Sequence, residues 1–262
     1  MQAVPAFAGS APVGMPPLTL RVTTEDLPFR ITIVRTEEQL RAACSVRSEA
    51  YGRHVEQFKQ QFAEPDELDR QQGTLVFLAE DKETGQAIGS ARLRTNAREP
   101  LQIEQCITLP EPMAHQHIAE ITRYCAHPDY KKGQPSVAIM KAIYLWCLAT
   151  QVRHIIIGAR EKMARHYEFI GFTDVFEKDR MYPLSYTGGL EHRVLSFEVM
   201  SGERNWHQQN HLLYAYMLTT VHPDIQIFAS VSSGWSRPRL VDVSRTRDAL
   251  ISASVPLAAA QA

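Results

Sequence analysis

The stretch from residue 118 to residue 172 constrains the fold more than any other part of the chain. IAEITRYCA (118–126) alternates apolar and polar residues, the period-two pattern of a half-buried strand. His127 to Pro135 holds Pro128, Gly133 and Pro135, which reads as a loop. Ser136 then stands as the N-cap of a helix over the long apolar run VAIMKAIYLWCLAT. HIIIGA (154–159) is a short, wholly apolar strand, and KMARHYEFIGF (162–172) is a helix stopped by Gly171. Strand, helix, strand and helix in so short a span require helices laid against a sheet.

The rest of the chain extends that pattern. FRITIVR (29–35) reads as a strand. Thr36 caps a helix with an acidic first turn at Glu37 and Glu38, and Leu40, Ala43, Cys44 and Ala50 carry its spacing to Gly52. Leu75–Ala79 and Gln86–Arg94 are strands joined by turn chemistry at Asp81–Gly85, a hairpin. RVLSFEV (193–199) is the last clear strand, and residues 202–221 read as one C-terminal helix. The order specifies an α+β (mixed α/β) fold around one sheet. Residues 1–27, rich in Ala, Pro and Gly, read as a flexible N-terminal segment. Residues 28–200 form the folded domain, and 201–262 a helical extension with a loose tail.

A formal net charge of -1 over 262 residues leaves no basic field of the kind nucleic-acid binding demands. Cys44, Cys106, Cys125 and Cys147 form no CxxC pair and have apolar neighbours, so they read as reduced core thiols in a cytoplasmic protein. No run is apolar enough to span a membrane, and the first residues lack the basic start and apolar core of a signal peptide. His207 and His211 are four apart on the expected C-terminal helix, but no Glu follows His207 in the metalloprotease manner. A surface helix is the better reading, and no metal site is expected.

Two features resemble the GNAT superfamily of acyltransferases: Tyr167-Glu-Phe-Ile-Gly171-Phe172 after a short apolar strand, and the hairpin segment Gly89-Ser-Ala-Arg92. Four patches resemble a narrower group, the acyl-homoserine lactone synthases and FeeM-type N-acyl amino acid synthases. They are Arg47-Ser-Glu-Ala-Tyr51, Glu64-Pro-Asp66-Glu-Leu-Asp69, Arg92, and Glu120-Ile-Thr-Arg123-Tyr124. The resemblance implies a GNAT-like central twisted sheet flanked by helices in three layers. It also implies an enzyme that moves a fatty acyl group from a thioester to a small amine or amino acid, with no permanently bound cofactor.

Two departures refine the expectation. Acetyl-coenzyme A users of this superfamily carry a glycine-rich phosphate loop. Here the loop reads Lys131-Lys-Gly-Gln-Pro-Ser-Val-Ala, with one glycine and with Pro135 removing a backbone N–H. That favours an acyl carrier protein over acyl-coenzyme A as donor. The lactone synthases place a tryptophan after the first helix where Phe58 is the nearest large aromatic here, and this chain runs on past residue 200. Both features disfavour S-adenosylmethionine as acceptor and lactone formation as the reaction. The further rivals are a coenzyme A-dependent acetyltransferase and a non-catalytic acyl-binding module.

Acyl transfer needs a neutral amine, a polarised thioester carbonyl and a proton for the leaving thiolate. Glu120 is the expected base, with Arg123 beside it; the plain alternative is an ion pair with Arg123 or Arg92 that holds the sheet. Three positions separate Glu120 from Arg123, so a regular strand sends them to opposite faces, and both serve one site only if the strand bulges. Tyr167 is the expected proton donor to sulfur. Arg47, Arg92, Glu64, Asp66 and Asp69 would order the acceptor pocket, with Tyr51 and Phe58 as its apolar side. Buried arginine is costly unless paired, and the three acids are the natural partners. The stripe Val137, Met140, Ile143, Tyr144 and Cys147 reads first as core. Residues 131–165 hold seven cations against one acid, Glu161. Of these, Lys131, Lys132, Arg160, Lys162 and Arg165 are the expected docking rim for an acidic carrier protein.

Overall fold

In the computed structural model, residues 22–228 are described; the expectations for residues 1–21 and for the tail from 229 lie outside them. The strands are β1 (Thr23–Thr24), β2 (Phe29–Ile33), β3 (Thr74–Asp81), β4 (Ala87–Thr95), β5 (Ile118–Ala126), β6 (His154–Ala159), β7 (Thr173–Asp174), β8 (Met181–Leu184), β9 (Leu190–Glu198) and β10 (Thr220–Val221). The helices are α1 (Glu37–Gly52), α2 (Glu56–Gln61), α3 (Glu67–Arg70), α4 (Glu111–Ala114), α5 (Pro135–Ala149), α6 (Glu161–Ile170) and α7 (Gly202–Gln208).

One sheet runs β2-β3-β4-β5-β6-β9-β7, with β8 also paired to β9. Every pairing in it is antiparallel except β5 with β6. Alternation along the strands sends two sets of side chains to two layers. Phe77, Ala79, Ala91, Leu93, Ala119 and Ile121 pack with Ala138, Ile139, Ala142 and Ile143 of α5. Val76 and Leu78 face the other way, onto Leu40 and Ala43 of α1, and Ile118 packs with Leu101, Ile103 and Leu184. The result is a sheet between two layers, as expected. Of the apolar stripe on α5, Met140, Ile143, Tyr144 and Cys147 are buried in this core, and Val137 is half-buried.

Local chemistry fixes the ends. Thr36 caps α1 by accepting from the Gln39 N–H at 3.2 Å. Gly171 closes α6 at φ 115°, a conformation that favours glycine. Ser136 does not cap α5: Pro135 occupies the first turn and Gln134 the cap position, with no side-chain cap.

The C-terminal region differs from the single helix expected over 202–221. Asn210 takes φ 46°, and the His211 N–H bonds back to the Trp206 carbonyl at 2.9 Å, ending α7. A π-helical turn at Ala215–Thr219 follows, then β10, which pairs parallel with β1. The Gln226 N–H bonds to the Ile31 carbonyl at 2.8 Å and the Ile31 N–H to the Asp224 carbonyl at 2.9 Å, which covers the β2 edge. Trp206 is buried and its indole N–H donates to the Ile170 carbonyl at 2.8 Å.

Lys141, one of the seven cations counted over residues 131–165, is buried. Its ammonium donates to the carbonyls of Tyr216 and Thr220, both at 2.5 Å, and meets His222 Nδ1 at 2.8 Å. Burial pulls its pKa down to about 7. The ammonium thus clasps the C-terminal segment to α5. Lys141→Met leaves those acceptors unpaired, and we expect a loss of about 2–4 kcal/mol in chemical denaturation. Hydrogen exchange in residues 215–222 should rise with it; unchanged stability and protection would show that the clasp holds nothing.

Candidate functional site

β5 is the strand on which the site turns. Its register with β4 gains a residue between Arg92↔Thr122 and Ser90↔Cys125, and Arg123 takes φ 54°. This is a β-bulge, so the condition set by the Glu120–Arg123 spacing is met. Thr122 and Arg123 both turn to the face that carries Glu120: the Thr122 hydroxyl accepts from Arg92 Nε at 2.9 Å, and Arg123 Nη2 lies 3.5 Å from Asp66. Tyr124 turns to the other face and donates to the Ser136 carbonyl at 2.6 Å. Pairing of β5 with β6 stops at Ile121↔Ile157, so the two parallel strands part beside the bulge.

The expected charged network is assembled. Arg47 reaches both carboxylate oxygens of Asp69 at 2.9 Å, with both side chains buried. Arg92 pairs with Asp66 at 2.6 Å, lies 3.5 Å from Asp69, and donates to Gln102 at 3.2 Å. Asp66 and Asp69 also form a reciprocal capping box that starts α3. Burial works to raise the Asp66 pKa, but Arg92 and Arg123 outweigh it and hold the carboxyl below its ordinary value. Arg123 lies over the Phe62 ring at 4.0 Å, and Phe62 meets Tyr51 edge-on and Phe58 at a tilt. Tyr51 donates to the Tyr124 carbonyl at 3.1 Å. Glu64 is exposed and joins no ion pair among the described residues.

Glu120 is 1% exposed. Burial raises its pKa to about 7, against the pull of Tyr186, of the Ile103 and Gln102 N–H groups, and of Arg92. Its Oε2 accepts from the Ile103 N–H at 3.4 Å, while Oε1 has no hydrogen-bond partner. A buried carboxylate poised near neutrality with an open oxygen is equipped to take a proton. Tyr167 is buried on the opposite face of the sheet, its ring 6.1 Å from that of Tyr124. Burial holds its pKa well above the ordinary value, so it stays a protonated phenol. Burial also pushes the Cys125 thiol up to about 12, which makes it no nucleophile at neutral pH.

Because β5 and β6 are parallel, α5 and α6 begin at the same edge of the sheet. Neither helix has a side-chain cap at its N-terminus. Lys131, Arg160, Lys162 and Arg165 are exposed there, and Lys131 donates to the Pro128 carbonyl at 3.2 Å. Lys132 is paired with Glu83. Elsewhere Glu168, Asp174 and Asp179 come close enough to share an ion, but Arg193 already pairs with all three, at 2.6, 2.7 and 2.9 Å. His207 and His211 do not share a helix face: His211 lies beyond α7 against Phe169, and His207 lies against Tyr214.

The sequence profile of the family described as N-acyl amino acid synthase FeeM matches residues 42–187, more than half of the chain. This chain belongs to the FeeM family. The match spans Arg47, the Asp66/Asp69 box, Arg92, the β5 bulge and Tyr167. A search of curated proteins finds no match. Among solved structures, FeeM, an N-acyl amino acid synthase from uncultured soil microbes, superposes with a TM-score of 0.54 at 13% identity, covering 72% of this chain and 97% of that one. The likeness is one of fold. TofI, solved in a ternary complex with an inhibitor and MTA, gives 0.48 at 22% identity, over 66% of this chain and 92% of its own. The CoA-dependent acyl-homoserine lactone synthase BjaI, with SAM and isopentyl-CoA, gives 0.47 at 16% identity, over 87% and 99%. A FeeM-family chain with this fold is an N-acyltransferase. Among its described residues no helix is long and apolar enough to cross a membrane.

Sequence reasoning missed three contributors. Gln102 meets Arg92 from a segment with no clear periodicity. Arg94, buried, stands opposite Glu120 in the β4–β5 register. Tyr186, in the turn between β8 and β9, stands beside Glu120; Ser-Tyr-Thr-Gly-Gly reads only as a turn.

Proposed function

We propose that this FeeM-family enzyme transfers a fatty acyl group from acyl carrier protein to the amine of an amino acid, in the cytoplasm. One observation carries the reading: a buried carboxylate, Glu120, keeps an open oxygen within a network of paired arginines beside the gap between β5 and β6. In the proposed reaction Glu120 takes a proton from the acceptor ammonium. The freed nitrogen attacks the thioester carbonyl carbon, and the tetrahedral intermediate collapses with cleavage of the C–S bond. Tyr167 gives its proton to the leaving thiolate, the second proton shed by the attacking nitrogen as the amide forms restores the phenol through water, and Glu120 releases the proton it took to solvent. Arg47, Arg92, Arg123, Asp66 and Asp69 order the acceptor pocket, and Tyr51 and Phe58, through Phe62, supply its apolar wall. The exposed cations Lys131, Arg160, Lys162 and Arg165 would steer an acidic carrier protein to the edge where α5 and α6 begin, with Lys132 at its margin. Of the two uncapped helix N-termini at that edge, Pro135 removes an N–H from that of α5, while that of α6 keeps its backbone N–H groups for a phosphate. The phosphopantetheine arm of a carrier protein and coenzyme A both supply one, so coenzyme A is the second donor to test.

Mass spectrometry of lipid extracts from expressing cells tests the product, and an N-acyl amino acid is expected. An acyl-homoserine lactone, or no new lipid, would overturn the reading. Purified enzyme with matched acyl chains on carrier protein and on coenzyme A tests the donor. The rate with carrier protein should be higher and should fall with added salt. Equal or better efficiency with coenzyme A would leave the acyl transfer standing and remove the carrier protein.

A further inference from the structure

Glu120 Oε1 is not the only buried oxygen in its surroundings left without a partner. Tyr186 Oη is also buried and also lacks a hydrogen-bond partner. Ile156, opposite Glu120 in the β5–β6 register, packs with Ile118 and Tyr186, so the two unpartnered oxygens share one side of the sheet, and each shifts the other's ionisation. Their setting is built for this approach. Tyr186 sits in a short helical turn, Ser185–Thr187, held by the Thr187 hydroxyl on the carbonyls of Leu184 and Leu190. Beneath it lies Gly158 of β6. A Cβ at Gly158 would come within 2.7 Å of Leu184 Cδ1 and 3.4 Å of Tyr186 Oη, so a glycine there is what lets the turn lie down on the sheet.

We propose that Tyr186 is the positioning residue of the base, its phenol donating to one lone pair of Glu120 Oε1 and leaving the other for the acceptor ammonium. The inference rests on the reading of Glu120 as the base. A carboxylate oxygen has two acceptor sites. The Ile103 N–H engages Oε2, and Oε1 is the oxygen with both sites open to a fixed donor and the substrate. The phenol is fit to be that donor: burial, and Glu120 itself, hold its pKa far above neutrality, so it keeps its proton. The other groups facing this pair are fixed cations or remain with their own partners. Arg92 is engaged with Asp66 and Thr122. Arg94, across the β4–β5 register, is 3.5 Å from Glu99. Arg123 lies over Phe62, and Cys106 contacts Ser185 at 3.2 Å.

Removing a donor from a carboxylate disfavours its charged form, so Tyr186→Phe should raise the Glu120 titration midpoint. The midpoint can be read with no substrate present, by carbon-13 NMR of protein labelled at glutamate side-chain carboxyls, with Glu120→Gln assigning the signal. We expect an upward move of about half to one pH unit in Tyr186→Phe. The acid limb of kcat/KM should move with it. At pH 7 that is a loss of about 2- to 5-fold from a wild-type midpoint of about 7, recovered as pH rises above both midpoints. Gly158→Ala, which displaces the turn and keeps the phenol, should shift the midpoint in the same direction. An unmoved Glu120 midpoint in folded Tyr186→Phe overturns the proposal; if that variant does not fold, an unmoved midpoint in Gly158→Ala does so. Failure of the acylation reading would show separately, as wild-type enzyme that makes no N-acylated product.

Discussion

Glu120→Gln should cost about 100-fold or more in kcat while the protein stays folded, since that is the typical worth of a general base. Glutamine keeps the shape and can still accept the Ile103 N–H, but it cannot take a proton from an ammonium. The pH dependence follows from the raised pKa. In the wild type, kcat/KM should rise with pH through about 7, as Glu120 loses its proton. Stability should move the other way. The folded state binds the Glu120 proton more tightly than the unfolded chain does. Its contribution is therefore complete below the unfolded value, and is lost as pH rises from about 4.5 through about 7. The integrated loss is on the order of 3 kcal/mol. Glu120→Gln should lack that slope and match or exceed the wild type in thermal stability near neutral pH. Paired kcat measurements and melting curves check both halves. A folded variant with near-normal turnover would leave Glu120 as a structural residue.

How much of this was legible in the sequence depends on the range of the interaction concerned. The strand and helix between residues 118 and 149 follow from local periodicity, and the structure places them within a residue or two. The bulge was readable as a condition rather than as a location: three positions between Glu120 and Arg123 demand a break in alternation. Arg123 supplies it at φ 54°, an uncommon conformation for a residue with a Cβ that no propensity announces. The Asp66-to-Asp69 spacing carries a second signal beside the charge that makes these acids partners for the buried arginines. It is a capping box, and the same two carboxylates that would repel each other start a helix and hold three arginines.

The C-terminal region shows where pattern fails. Residues 202–221 have enough apolar residues at helical spacing to suggest one helix, but Asn210 and the carbonyl demands of Lys141 divide it. A lysine on α5 and the carbonyls it meets are 75 and 79 positions apart. Two-residue strands such as β1 and β10 likewise have no period to detect. Tyr186 is the sharpest case. Its place beside Glu120 depends on β8 and β9 pairing, on the turn between them, and on a glycine in a third strand, none of which is local to residue 186.

The second large effect separates the two aspartates of that capping box. Asp69 is 2% exposed at its side chain, as is Arg47, and one guanidinium nitrogen meets both carboxylate oxygens at 2.9 Å. Breaking a buried pair by removing one charge leaves the other without compensation, at a cost of about 3–5 kcal/mol. Asp69→Asn should therefore lower the melting temperature by on the order of 10 °C for a domain of this size. Asp66 lies at the other end of the box with 40% of its side chain exposed. Asparagine is itself a good cap, its amide oxygen can still accept from the buried Arg92, and Arg92 keeps Asp69 at 3.5 Å with Gln102 and Thr122 as further acceptors, so Asp66→Asn should cost less than Asp69→Asn, about 1–2 kcal/mol. Its effect belongs to the substrate instead. Arg92 and Arg123 both lean on this carboxylate, and in the proposed reaction they border the acceptor pocket beside Glu120. The KM for the amine should rise far more than the KM for the acyl donor. Melting curves and kinetics that titrate each substrate in turn distinguish the two roles. An Asp69→Asn protein that melts with the wild type would mean that Arg47 is stabilised from elsewhere. A folded Asp66→Asn protein with both KM values unchanged would place the acceptor site away from this loop.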